Sequence, residues 1–146
     1  MVLFGGIEAT IDGEPIHMND HLAYRGMMIS DIPNFAYFIG YTNSSWTLKV
    51  DIAAEYMCRV LDHMRRYEFD KCVAVNENPD MPTKPLLDFG AGYVQRVMDD
   101  LPREGLEEPW YLKMDVLHDR KNLRRVPVED GKLQFSRVGD RVRAAA

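Results

Sequence analysis

An amphipathic run over residues 43–67 constrains the fold more than any other part of this chain, because it is long enough for roughly seven helical turns. Val50, Ala54, Met57, Leu61 and Met64 recur at four-then-three spacing and Val60 widens the stripe. Asp51, Glu55, Arg59, Asp62 and Arg66 take the opposite face. Glu55 with Arg59 and Asp62 with Arg66 form i,i+4 pairs, each contributing about 0.2–0.5 kcal/mol. Asn43, Ser44 and Ser45 supply cap-type residues ahead of the run. Upstream, residues 24–29 and 35–39 are two apolar stretches separated by Ser30, Asp31, Ile32, Pro33 and Asn34. Pro33 disfavours a helix through that point, so two extended segments joined by a turn are expected. Residues 35–39 are apolar at every position, the pattern of a strand buried on both faces. Buried strand, polar turn, long helix is the order of a layered α/β domain.

The flanking segments are less regular. Residues 1–4 are an apolar run that ends at Gly5-Gly6, the tail of a strand. Ile7, Ala9 and Ile11 alternate with Glu8, Thr10 and Asp12, and Ile16 and Met18 resume the alternation after Asp12-Gly13, which predicts a hairpin. Pro79, Pro82 and Pro85 mark residues 76–85 as a loop and as the internal boundary. Residues 89–101 read as a helix with Tyr93, Val94, Val97 and Met98 inward, stopped by Pro102. Pro109 suits the first turn of a further helix to about residue 123, with Trp110, Met114 and Leu117 apolar. Residues 132–136 form a short strand after Asp130-Gly131, and 137–146 a frayed tail.

With 146 residues the default is one domain, and 46% hydrophobic with 28% charged residues is ordinary for a globular chain. A net charge of -5 disfavours nucleic acid and anionic membrane surfaces as partners. Cys58 and Cys72 fit neither a CxxC redox motif nor a zinc knuckle, so a reducing, cytoplasmic setting is the simplest assumption. No export signal and no membrane-spanning run is visible.

The turn from Gly40 through Tyr41, Thr42, Asn43, Ser44, Ser45 and Trp46 to Thr47 is the leading site candidate. A helix that starts there leaves up to four backbone N–H groups without intrahelical partners, backed by the positive end of the helix dipole. Such a corner accepts an anion or an electron-rich carbonyl oxygen. Ordinary capping by Asn43 or Ser45 is the competing explanation.

The same residues carry a resemblance. The run Tyr24-Arg25-Gly26-Met27-Met28-Ile29-Ser30-Asp31-Ile32-Pro33-Asn34, followed by Ile39-Gly40-Tyr41-Thr42-Asn43-Ser44-Ser45-Trp46-Thr47-Leu48-Lys49, resembles the end of the FAD domain in class B flavin monooxygenases. The likeness is to the Baeyer–Villiger-type, ethionamide-activating branch, and it continues through Gly92-Tyr93-Val94 and Pro109-Trp110 to Asp130-Gly131. It implies a flavoprotein with two dinucleotide-binding domains, of which this chain is the C-terminal portion. Its fold class is then α/β, or α+β for the piece alone: a few strands and a long helix, followed by a mainly helical tail. Residues 1–75 would complete an FAD-binding domain and residues 76–146 would be a loop and helical extension.

The resemblance further implies that FAD is reduced by NADPH and that one oxygen atom of O2 is inserted into, or transferred to, a ketone or sulfur substrate. Asn43, Ser44, Ser45 and Thr47 would lie at the cofactor, and Trp46 and Thr47 at the substrate pocket. The family's two phosphate-binding GxGxxG motifs, the signature between them and the arginine that supports its oxygen chemistry lie upstream in full-length members and are absent here. Gly90-Ala91-Gly92 does not replace them, since Gln95 stands where Gly or Ala is required. The chain is therefore expected to be inactive without the missing N-terminal part, its partner alongside a small organic substrate. The alternative is an autonomous interaction module that forms a homo-oligomer through exposed apolar strands.

Other candidates point to structure rather than chemistry. His17 and His21 have i,i+4 spacing but no third ligand, so no metal is expected. His63 and His118 lie in predicted helices, solvated or capping, and Cys58 reads as a buried structural thiol. Ser44 and Ser45 lack a positioned base, and Asp99, Asp100, Glu104, Glu107 and Glu108 read as a solvated acidic face.

Overall fold

Asp12 and Gly13 both adopt positive φ, 53° and 90°, the backbone a two-residue hairpin turn requires. They join β1 (Thr10–Ile11) to β2 (Glu14–Pro15), so the first predicted hairpin forms. The computed structural model describes residues 8–87 and 101–139. The expectations for residues 1–4, for the 89–101 helix with Gly90-Ala91-Gly92, and for most of the tail lie outside the described residues.

The next apolar stretch departs from expectation. Residues 24–29 do not run straight: Arg25 and Gly26 take φ of 52° and 67° and fold β3 (Ala23–Tyr24) back on β4 (Met28–Ile29). Gly26 is needed there twice over, for its φ and because a Cβ would come within 2.4 Å of the Leu112 side chain. The strand predicted over residues 35–39 is not buried on both faces. That segment touches β4 through a single bridge, Met28 to Ala36, and a Tyr37 N–H bond to Met27 O. Its positions alternate between half-buried and exposed, with Phe38 42% exposed, as in a segment covered on one side. Asn34 closes the intervening turn at φ 55°, donates Nδ2 to Asp70 O and accepts the Cys72 N–H on Oδ1. That fastens the turn to β5 (Lys71–Ala74), which pairs antiparallel with β8 (Leu133–Ser136) as the Asp130-Gly131 signal anticipates. β6 (Thr83–Pro85) pairs with β7 (Arg103–Gly105). Every ladder among the described residues is two-stranded and antiparallel, so the chain is α+β, a mixture of helix and small sheets.

Helix α1 (Trp46–Tyr67) begins and ends where the sequence places it, but its buried face is rotated. Lys49, Ile52, Ala53, Tyr56 and Val60 point inward, Met57 and Met64 pack at the margin, and Leu61 is 60% exposed. The aromatic and β-branched positions reach the sheets while the Leu61 row faces outward. Of the two anticipated surface pairs, Asp62 with Arg66 forms, at 3.2 Å. Glu55 instead binds Arg124, and Arg59 donates to Leu123 O and Val126 O. Glu68, at φ 56°, stops the helix, and Arg137 donates to the carbonyls of Tyr67 and Glu68.

The predicted helix from Pro109 to about residue 123 shortens to α2 (Val116–Asn122). The backbone near Pro109 is used in turns, with the Gly105 N–H bonded to Trp110 O and the Trp110 N–H to Glu107 O. Asp115 then caps α2 by accepting the Leu117 and His118 N–H groups at 3.0 Å each. Trp110 is buried edge-on against Tyr24, ring centroids 5.7 Å apart, in the core that α1 shares with β3, β4, β5 and β8. Leu117 faces outward.

The rotated stripe has a direct test. Ile52→Ala empties a core position and is expected to cost about 2–5 kcal/mol in urea unfolding, whereas Leu61→Ala stays within about 0.5 kcal/mol. The reverse order would restore the stripe read from spacing alone.

Candidate functional site

The first turn of α1 is built from residues that spend their side chains elsewhere. Ser45 occupies the N-cap position with extended backbone, φ -60° and ψ 127°, yet makes no capping hydrogen bond. Its Oγ lies 3.0 Å from Thr47 Oγ1. Asn43 turns away, donating Nδ2 to Met114 O at 2.9 Å. Neither residue performs the ordinary capping that competes with a binding role. Asn43, Ser44, Ser45, Trp46 and Thr47 are all exposed. The indole of Trp46, 55% exposed, lies directly on the backbone of Gly40, where a Cβ would come within 2.1 Å of the ring. Gly40 is therefore what allows one indole face to rest on the chain while the rest stays accessible.

Behind this exposed turn sits a buried polar cluster. Lys49 is 1% exposed and its Nζ donates to Asp119 Oδ2. Tyr41 Oη donates to the same oxygen at 2.7 Å, and Lys49 Nζ stands 5.1 Å from the Tyr41 ring centroid. Burial, then the Asp119 hydrogen bond and charge, push the Tyr41 phenol up, so it stays protonated and donating. A cavity of about 20 Å³, room for one water, is lined by Lys49 and Asp119 together with Arg25, His118 and Asn122. Residues 41 and 49 thus flank the exposed turn from below.

A second network ties β3 to the Asp130-Gly131 turn. Tyr24 Oη donates to Asp130 Oδ2 at 2.8 Å and lies 2.9 Å from Tyr56 Oη. Arg25 donates to Asp130 Oδ2 at 2.8 Å, and the Lys132 and Leu133 N–H groups donate to Oδ1 at 2.9 Å each. Burial alone would raise the Asp130 carboxyl, but the Leu133 N–H, Arg25 and Tyr24 outweigh it and hold it below the usual carboxylate range. Burial, and then Tyr56, raise the Tyr24 phenol, so it remains a donor.

The remaining sequence candidates separate. His17 is exposed and His21 half-buried, its Nδ1 3.7 Å from Asp31. His63 packs among Tyr67, Phe69 and Phe135 with Nε2 3.2 Å from Glu129. His118 is half-buried, with its Nε2 2.5 Å from Glu108 Oε1. Cys58, expected to be buried, is exposed, because the rotation of α1 turns it outward, while Cys72 is buried. Glu104 does not belong to a solvated face. It is buried, accepts the Leu112 N–H at 2.8 Å and pairs with Lys84 at 3.0 Å. Glu107 and Glu108 are exposed, and Asp99 and Asp100 lie outside the described residues. Among the described residues no group of three or more His, Cys, Asp or Glu side chains could hold a metal, and no helix is long and apolar enough to cross a membrane.

The sequence reading names Tyr41 in the turn and Lys49 in the run after it but misses Asp119 and the buried pairing of the three. Lys49 heads the true inward row, with Ile52, Ala53, Tyr56 and Val60 three, four, seven and eleven residues on, and that phase was the available signal.

The Asp130 carboxyl titrates lower folded than unfolded, so its stabilisation is present above the ordinary carboxylate range and is lost as pH falls through the folded value. Asp130→Asn is expected to cost about 1–3 kcal/mol at neutral pH and to flatten the acid decline in urea midpoint. An acid decline as steep as the parent's would assign it to other groups.

No family model and no solved structure matches the chain. Curated relatives do. It is 44% identical over 135 residues to the FAD-containing monooxygenase EthA of Mycobacterium tuberculosis, covering 92% of this chain and 28% of that protein. It is 40% identical over 139 residues to the "Probable FAD-binding monooxygenase AlmA" of an Acinetobacter species, covering 94% and 28%. It is 38% identical over 137 residues to EthA of Mycolicibacterium smegmatis, again covering 94% and 28%. The chain spans about 28% of the length of these relatives, and over nearly all of its own length it is similar to part of an FAD-containing monooxygenase.

Proposed function

We propose that this chain supplies the flavin-facing corner of an NADPH-dependent FAD monooxygenase, with Asn43, Ser44, Ser45 and Thr47 at the cofactor and Trp46 and Thr47 at the substrate pocket. The observation that carries this reading is the start of α1, which Ser45 leaves without a side-chain cap beside an indole held against Gly40. The donor set fits the group: backbone amides and the hydroxyls of Ser44, Ser45 and Thr47 match the carbonyl oxygens of a flavin's pyrimidine ring. The positive end of a 22-residue helix also suits a ring that gains negative charge on reduction. When bound and reduced by NADPH, FAD supplies the chemistry that delivers one oxygen atom of O2 to substrate.

The chain's own part is positional. The amides of the first turn of α1 hold and polarise the ring, and the indole of Trp46 offers an apolar wall for a small organic substrate, a ketone or a sulfur compound. Residues 1–75 act as the part that completes the FAD domain and residues 76–146 as its extension. The activity belongs to the assembly with the remaining polypeptide of the relatives' length. The relatives lend no support to a self-associating module.

Co-expression with the complementary portion of the M. tuberculosis relative tests the reading. The expected product is a yellow complex that oxidises NADPH. Thr47→Ala lowers its FAD affinity about tenfold, the equivalent of one good hydrogen bond. A colourless complex without NADPH oxidation would end the enzyme reading.

A further inference from the structure

The exposed turn that carries the candidate site has few fixings of its own, yet its polar ties share one destination. Tyr41 Oη and Lys49 Nζ, on either side of the turn, both donate to Asp119 Oδ2. Asn43 Nδ2, within the turn, donates to Met114 O, five residues before Asp119. Asp119 is itself well seated. Its N–H bonds to Asp115 O at 3.0 Å, Asp115 caps α2, and Arg59 grips the far end of α2 through Leu123 O and Val126 O. Helix α1 is therefore tied to α2 and the residues just after it at three polar points, Lys49, Glu55 (to Arg124) and Arg59.

Stability does not explain why the first point is charged. Taking a cation and a carboxylate out of water costs several kcal/mol per ion, and well-packed apolar replacements of such pairs are often neutral or stabilising. What an apolar contact cannot supply is direction. A carboxylate oxygen with two donors, one from each flank of a turn, fixes where both flanks stand.

We propose that Asp119, through Lys49 and Tyr41, is a positioning residue of the monooxygenase site: one buried carboxylate clamps both ends of the 41–49 turn and so sets the direction of the amides at the start of α1. The consequence for flavin rests on the function proposed above, whereas the clamp itself does not.

The test compares the 146-residue chain with a Tyr41→Phe/Lys49→Met/Asp119→Leu triple variant and with Tyr41→Phe alone. Urea unfolding, backbone amide order parameters from 15N relaxation and FAD titration of the complex with the complementary polypeptide are the readouts. The triple variant, which strands no buried donor or charge, is expected to unfold at a urea concentration equal to or above the parent's. Its order parameters at 42–48 fall below about 0.6, while those at 52–64 stay at about 0.85. Tyr41→Phe, which keeps the ion pair, lowers the same order parameters by less. FAD affinity falls with the order of these amides across the variants.

Unchanged order parameters at 42–48 in the triple variant would overturn the proposal. So would a loss of order spread evenly along α1 with a lower unfolding midpoint, since that is a merely structural role. If the parent complex binds no FAD while the order-parameter pattern holds, the clamp stands and its link to flavin is refuted.

Discussion

Lys49 is a cation sealed beneath the start of a long helix, and the position of that helix follows from how its charge is met. Asp119 meets it from α2, and Tyr41 shares the same carboxylate oxygen from the segment leading into the turn. Removing either ion alone would strand the other in the interior, a penalty of about 3–5 kcal/mol. The pair therefore requires α1, α2 and the 40–49 segment to keep one arrangement. A purely apolar seam of Ile52, Ala53, Tyr56 and Val60 would tolerate small slides of the helix along its axis.

The other end of the same core is governed by Asp130. Its carboxylate gathers Tyr24, Arg25 and two backbone N–H groups where β8 begins, and Tyr24 hands the network on to Tyr56 of α1. Small two-stranded ladders bury little surface by themselves. Here the β3–β4 and β5–β8 ladders share one core with α1, and Asp130 draws together β3 and the start of β8. The turn from Thr42 to Thr47 stays exposed above this core.

Turn chemistry was the most legible layer of the sequence. Asp12-Gly13 and Asp130-Gly131 announced the β1–β2 hairpin and the start of β8, because a positive φ at glycine is a local requirement. The length and start of α1 were equally plain. Its phase was not: Leu61 and Val50 look as apolar as Ile52 and Val60, and a lysine at the head of the inward row disguised that row as polar. Lys49 needs a partner 70 residues away, and nothing local announces it. Residues 24–29 were apolar enough to hide the Arg25-Gly26 reversal, and the suitability of Pro109 for a helix start masked the stronger cap at Asp115. The exposed polar turn at 42–47 is legible in its residue types, while the Lys49, Asp119 and Tyr41 cluster beneath it is visible only in three dimensions.

The central claim is that the start of α1 faces a flavin ring supplied by polypeptide beyond this chain. A crystal structure of the chain assembled with the complementary portion of a relative and FAD measures it directly. The account predicts amide nitrogens of residues 45–47 at about 2.7–3.2 Å from the pyrimidine carbonyl oxygens, with the Trp46 indole beside the ring. A flavin bound elsewhere, with the start of α1 packed against protein, would contradict it.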